Sequence, residues 1–471
     1  MNVNWQEEVT KRKDEIIHDT IQLLKIKSVL DEQDISEEAP LGKGVKEALQ
    51  FVLDLAEQNG FKTKNVGNLA GHVEMGEGED LIGVLCHVDV VPEGDGWTSD
   101  PYSADIRDGK IYARGAIDDK GPTMAAFYAM KLIKELKLPL KKRVRMIIGT
   151  DEESEWRCVQ HYFQHEEMPT FGFAPDADFP IINAEKGICN MDLVFSERVE
   201  EKISKDVVQI ISFDAGRRYN MVPDFAETKL LLETEHTSVI QDFEKFCNEH
   251  EVKGSYFIEN GHLVLSIKGI SAHGMEPDLG KNAGLILASF LSNLPLKQNA
   301  KVFFSFIDKY FMNDSRGKKI GIYYSDEQTG DLTINCGIFS FKNNEGKIGL
   351  NMRYPVTYPF EEKINSLEKL EESSFFQINI LSNSKPHYVD EKHEMVQILK
   401  NVYEEQTGEK GEFLSIGGGT YARSLKTGVA FGALFPGKPD VAHQKDEYIE
   451  IEDLLRATAI YAQALYELAN T

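Results

Sequence analysis

Apolar positions recur along this chain in two alternating rhythms. Near the amino terminus Ile17, Ile21 and Leu24 repeat at helical spacing with charged residues between them, which predicts an amphipathic helix. The run DLIGVLCHVDVV then predicts a strand buried on both faces, the kind found in a mostly parallel sheet. Lys110 to Arg114 (KIYAR) predicts a second short strand. Gly121-Pro122 opens a helix with an apolar stripe of Met124, Phe127, Tyr128, Leu132 and Leu136, and with Lys131, Lys134 and Lys137 outside it. Val144 to Gly149 (VRMIIG) predicts another buried strand. Strand and helix alternate as in an α/β fold, a mostly parallel sheet with helices on both faces.

From about Ile188 the texture changes to polar-interrupted strands and short helices: NMDLVF, DVVQIISF, ETKLLLE, HLVLSIKG, LTINCGIFSF, KIGLNMRYP and FFQINIL. This predicts an inserted α+β region over residues 188–383, long enough for two lobes. The α/β pattern then returns over 384–471, with a helix near Val396 to Tyr403, an apolar strand at Val429 to Phe435, and a final helix on which Leu454, Ala457, Tyr461, Leu465 and Leu468 share one face. One domain, 1–187 plus 384–471, is therefore expected to be split by another. No fixed short repeat and no low-complexity tract interrupts this order.

Composition narrows the function classes. At 471 residues the chain exceeds one compact core. No apolar run reaches membrane-spanning length and no basic leader with an apolar core opens the chain, so a soluble cytoplasmic protein is expected. The net charge of −25 repels phosphate backbones and anionic lipids, which argues against nucleic-acid or membrane partners. Five cysteines, Cys86, Cys158, Cys189, Cys247 and Cys336, are spread without a CxxC and read as buried thiols.

Candidate chemistry gathers where predicted strands end, the place where α/β sheets collect functional groups. His87 and Asp89 stand at i and i+2 of an extended segment, so both side chains point to one side and the Asp89 carboxylate can accept the second ring N–H of His87. RGAIDDKGP sets Asp118 and Asp119 side by side at a strand-to-helix turn, costly in water-poor surroundings unless a cation neutralises them. IIGTDEESEW places Asp151, Glu152 and Glu153 after a buried strand, where one carboxylate can bind a metal while its neighbour keeps the basicity to take a proton from water. FAPDADFP adds Asp176 and Asp178, and FPGKPDVAHQKDE adds His443. Taken singly, each has a structural explanation as a helix cap, a loop carboxylate or a hydrogen-bonded histidine. SIGGGTYAR is glycine-rich but lacks the lysine of a phosphate loop. His161, His165, His387 and His393 complete no HExxH.

As an ordered set, His87-x-Asp89, Asp118-Asp119-Lys120-Gly121, Thr150-Asp151-Glu152-Glu153-Ser154, Pro175-Asp176-Ala177 and Ala442-His443-Gln444 resemble the motifs of the co-catalytic dinuclear-metal peptidases. That family includes carboxypeptidase G, aminoacylase and the PepV-type bacterial dipeptidases, and the last are the nearest in pattern. The resemblance implies that Asp118 bridges two metal ions, that His87 and Asp176 complete one ligand set and Glu153 and His443 the other, that Glu152 is the general base and acid, and that Asp89 orients His87. Zn²⁺ is the expected metal, with Mn²⁺ or Co²⁺ compatible with the same N and O donors. Aminoacylase-like members often carry Glu where this chain has Asp176, so aspartate points to the peptidase branch.

By the same resemblance, the inserted region is expected to be the family's lid. ISAHGMEP implies that His273 stabilises the oxyanion, and RRYNMVPD and NMRYP imply that Asn220 and Arg353 hold the substrate carboxylate. A lid of this size can supply His273 within the same chain, which implies a monomer. The expected activity is hydrolysis of unblocked dipeptides. The nearer rival is an amidohydrolase of N-acyl amino acids, a deacylase or desuccinylase, and the more distant one a non-catalytic binding protein on the same scaffold.

Overall fold

In the computed structural model, which describes residues 3–196, 207–232, 237–367, 369–370 and 376–471, the run DLIGVLCHVDVV forms the strand Leu81–His87 with every residue buried. It lies inside a nine-stranded sheet whose order begins Lys62–Val66, Ala70–Met75, Arg143–Gly149, Leu81–His87, Phe171–Ala174, Gly428–Ala430 and Ile181–Glu185. The expectation of a mostly parallel sheet needs correction, because the sheet is mixed. Leu81–His87 pairs in parallel with Arg143–Gly149 and Phe171–Ala174, and the latter with Gly428–Ala430. Ala70–Met75 pairs antiparallel with both its neighbours, and Gly428–Ala430 pairs antiparallel with Ile181–Glu185. The reversal at the first edge is a short hairpin through Gly67 and Asn68, both at positive φ (66° and 55°). A connection that short can join only antiparallel neighbours.

The chain divides into two units. One comprises Met1–Ala184, Tyr388–Ser415 and Thr420–Thr471, the other Glu185–His387 and Ile416–Gly419. In the first, helices Lys120–Glu135 and Ile451–Leu468 pack together, the latter burying Leu454, Ala457, Tyr461, Leu465 and Leu468 as its periodicity predicts. In helix Lys13–Leu24 the fully buried positions are Ile16, Thr20, Leu23 and Leu24. Ile17 and Ile21 are only partly buried against the core, so the apolar stripe is rotated by about one residue from its predicted centre. The apolar run at 429–435 is not one strand. It breaks into Gly428–Ala430 and Ala433–Leu434, which belong to different sheets. Gly432, at φ 79°, makes the break, and a Cβ there would lie 2.3 Å from the Phe179 ring.

The second unit carries one eight-stranded sheet, antiparallel throughout, in the order Lys253–Glu259, His262–Lys268, Phe225–Leu231, Gln209–Ala215, Thr333–Lys342, Glu345–Tyr354, Gly187–Phe195 and Phe376–Ser384. Lys253–Glu259, exposed along its whole length, is the strand absent from the sequence reading. Helices Ala283–Ser292 and Gln298–Tyr310 pack against each other and bury their apolar faces in this unit's core. All five cysteines are buried and unpaired. Among the described residues no helix is long and apolar enough to cross a membrane.

Candidate functional site

The motif residues at strand ends of the first unit converge. His87, the last residue of its strand, is fully buried, and its Nε2 lies 3.1 Å from Asp118 Oδ1 and 3.7 Å from Asp176 Oδ1. The other oxygen of Asp118 stands 2.9 Å from His443 Nε2, and Glu153 Oε1 is 3.0 Å from that same nitrogen. One carboxylate thus faces two imidazoles with one oxygen each. Potential ligand atoms fall into two groups, His87 with Glu152 and Asp176, and Asp118 with Glu153 and His443. Glu152 joins the first group, although its neighbour Glu153 alone was expected among the ligands.

The backbone around these groups is fixed by neighbouring carboxylates. His87 Nδ1 lies 3.0 Å from the backbone oxygen of Asp89 and 3.4 Å from its carboxylate, so the main chain is the nearer partner for that nitrogen. The Asp89 side chain instead accepts the backbone N–H of Glu153 at 3.0 Å. Asp119, also buried, accepts the backbone N–H of His87 at 3.0 Å and makes no cap to the helix that follows it. Asp151 is taken up by Arg157, whose Nε and Nη2 donate to its two oxygens at 2.8 and 2.7 Å. Tyr421, from the glycine-rich segment, sets its buried ring edge-on to His87 with centroids 5.9 Å apart. Cys86 turns into the core, as strand alternation predicts.

Glu447 is the main residue the sequence reading missed. It is fully buried, its Oε1 accepts the N–H groups of Ile117 (3.0 Å) and Asp118 (3.3 Å), and its Oε2 is paired with buried Arg114. It therefore holds the turn that presents Asp118. Its only sequence signal was a place four residues beyond His443, which does not separate it from ordinary surface acids.

Crowding of charge sets the electrostatics. Burial and the Asp176 carboxylate push Glu152 well up. Burial and the Asp118 carboxylate raise Glu153 and bring Asp176 to about 7. Burial opposes the Asp118 anion too, but hydrogen bonds from His443 and His87 outweigh it and hold this carboxyl low. His443, hydrogen-bonded to Asp118 and Glu153, is raised to about 11. Four carboxylates and two imidazoles within a few ångströms, one carboxylate shared between the two rings, form a donor set that a pair of divalent cations would neutralise. The residues present therefore fit the dinuclear metal centre that the motifs imply.

Asn220, His273 and Arg353 all lie in the second unit and come together there. Met221 and His273 form an antiparallel bridge, and Gly274 N–H donates to the Asn220 carbonyl at 2.7 Å. His273 Nδ1 accepts the Met275 N–H at 3.3 Å, which leaves the proton of the neutral ring on Nε2. Burial and the nearby Arg353 guanidinium lower the His273 pKa and keep that ring neutral. Arg353 donates from Nε to Asn351 Oδ1 at 2.8 Å and from Nη1 to the Gly417 carbonyl at 3.1 Å.

Comparison with known proteins agrees in fold and in family pattern. Residues 83–467 match the model of "Peptidase family M20/M25/M40". The chain is 54% identical to "Putative dipeptidase YtjP" of Bacillus subtilis over 99% of its own length and 100% of the relative's. It is 46% identical to a protein of Staphylococcus haemolyticus named in the same way, over 98% and 99%. Among solved structures it resembles the aminoacylhistidine dipeptidase of Vibrio alginolyticus (TM-score 0.57, 12% identity, 96% of each chain) and the aminopeptidase PepT of Bacillus cereus (TM-score 0.56, 15% identity, 97% and 99%).

Proposed function

Because the chain belongs to peptidase family M20/M25/M40, we propose that it is a metal-dependent dipeptidase acting on unblocked dipeptides. The observation that carries this reading is the Asp118 carboxylate, with one oxygen on His87 and the other on His443, inside two adjoining groups of ligand atoms. His87 and Asp176 would hold one ion, Glu153 and His443 the other, and Asp118 both. Zn²⁺ is favoured, with Mn²⁺ or Co²⁺ as alternatives. When bound, such ions acidify water and polarise a carbonyl.

The chain's own residues then divide the work. Glu152 removes a proton from the attacking water and returns it to the leaving amine; the raised proton affinity that burial gives this carboxyl suits both steps. His87 is oriented by Asp89. The Nε2–H of His273 donates to the oxygen that gains charge at the tetrahedral stage. Asn220 and Arg353 grip the substrate carboxylate, for which a guanidinium offers two parallel donors. We assign 1–187 and 384–471 to the catalytic domain and 188–383 to a lid. The protein would work in the cytoplasm as a monomer, with a small peptide as its only partner and no role on nucleic acid or membrane.

The test is hydrolysis of a dipeptide panel by chelator-stripped protein, with Zn²⁺, Mn²⁺ or Co²⁺ added back and N-acetylated dipeptides run in parallel. The expected result is metal-restored cleavage of the free dipeptides alone. Cleavage of the acylated set alone would reassign the protein to the deacylases, and silence with every metal would overturn the enzymatic reading.

A further inference from the structure

A row of amides crosses the sheet of the second unit. Asn335, Asn351, Asn190 and Ser382 stand on four adjacent strands in register: Asn335 opposite Asn351, Asn351 opposite Asn190, and Asn190 opposite Ser382. Residues directly opposite in an antiparallel pair share a face of the sheet, so the four line up on one side. Asn335 and Asn351 are each only 1% exposed, on strands that bury mostly apolar side chains. A buried amide is costly unless its donors and acceptors are matched; here both ends of Asn351 and the Nδ2 donor of Asn335 are spent on particular targets, while Asn335 Oδ1 meets no partner among the described residues.

Asn335 donates from Nδ2 to the carbonyls of Tyr219 (2.7 Å) and Met221 (2.9 Å), the two residues flanking Asn220. The same segment carries the bridge to His273 and the Asn220 carbonyl that accepts from Gly274. Asn351 accepts Arg353 Nε–H at 2.8 Å and donates to Asn190 Oδ1 at 2.7 Å, while Asn190 donates to Ser382 at 3.2 Å. The amide orientations are forced, since Arg353 can only donate and two backbone carbonyls can only accept.

We propose that the cross-strand pair Asn335 and Asn351 are positioning residues for the substrate carboxylate, Asn335 fixing the segment that bears Asn220 and Asn351 fixing the guanidinium plane of Arg353. The proposal rests on the reading of Asn220 and Arg353 as the carboxylate grip. It goes beyond that reading by locating its rigidity in the amide row. With Nε held by Asn351 and one Nη1 hydrogen by Gly417, the guanidinium cannot rotate freely about its last bonds. A grip arranged in advance loses less freedom when it closes on its ligand. A merely structural role, in which the amides only fix strand register, would give the row no influence on which end of a substrate is recognised.

The experiment compares kcat/KM for alanyl-leucine with that for alanyl-leucinamide, which lacks the carboxylate, in the metal-loaded full-length protein. Asn335→Leu and Asn351→Leu keep side-chain size and remove the hydrogen bonds. Each is expected to lower the acid-to-amide ratio about tenfold or more, through kcat/KM on the acid alone, the scale usual for partners that orient a binding group. Equal loss on both substrates, or an unchanged ratio, in variants whose Tm stays near that of the parent would overturn the proposal. Should a leucine variant fail to fold, Asn335→Ser and Asn351→Ser decide by the same ratio. Arg353→Lys and Asn220→Ala run beside them. If those collapse the ratio and the amide variants do not, the positioning role alone fails. If those leave it unchanged, the grip itself is misassigned and the proposal falls with it.

Discussion

Glu152 and Glu153 are adjacent carboxylates with different surroundings. Glu153 is within hydrogen-bonding distance of His443, whereas Glu152 is raised by burial and by the Asp176 carboxylate. A group that must take and then return a proton needs high affinity, which is the reason Glu152, raised well above its ordinary value, is the proposed base. Glu152→Gln preserves shape and removes the basic oxygen, so kcat should fall on the order of a thousandfold or more. The metal content measured by plasma mass spectrometry should stay at the wild-type value. A variant that retains turnover would refute the role, and one that loses its metal would make Glu152 a ligand. His87, Glu152, Glu153 and Asp176 were legible because each sits where a buried strand gives out, and Asp118 and His443 only as members of the ordered set of motifs. Glu447 and Asp119 were not legible in their actual roles. What distinguishes them is a partner distant in the chain: Glu447 is tied to Arg114 across 333 residues, and Asp119 to the His87 backbone across 32.

At the scale of elements, helix Arg157–His165 rests against strand Ala70–Met75. The join includes His72, whose Nδ1 lies 2.8 Å from the Tyr162 hydroxyl. Burial, aided by the Arg145 guanidinium, lowers the His72 pKa from 6.5 to about 4, so the folded protein holds a neutral ring. The unfolded chain binds a proton here between those two values and the folded one does not. The stabilisation is therefore complete above pH 6.5, shrinks as pH falls toward 4, and is worth roughly 2–3 kcal/mol. His72→Gln should make urea-unfolding stability fall less steeply than the parent's between pH 6.5 and 4; parallel curves would show that His72 does not titrate this way. Long periodic elements, such as Lys120–Glu135 and Ile451–Leu468, were visible in the sequence because one face repeats over several turns. Lys253–Glu259 was invisible because it buries neither face, and the run at 429–435 misled because apolarity does not report the turn at Gly432.

At the scale of the whole molecule, the inserted region provides His273, Asn220 and Arg353 in the same chain as the metal-ligand candidates. On the proposed reading, in which the lid of the same chain supplies these groups, no second subunit is required. Sedimentation equilibrium should give the mass of one chain, and an obligate dimer would contradict the proposed monomer. The sequence by itself determined the alternation of long helices with the buried strands Leu81–His87 and Arg143–Gly149, the change of texture near residue 188 and the chemical types of the motif residues, since these depend on local periodicity and residue identity. The tertiary structure alone decided that the first sheet is mixed, that Asp118 faces two histidines, and that Asn335, Asn351 and Asn190 form one row. Strand direction and register bring together residues far apart in the chain, and no local pattern of apolar and polar positions records which strand lies beside which.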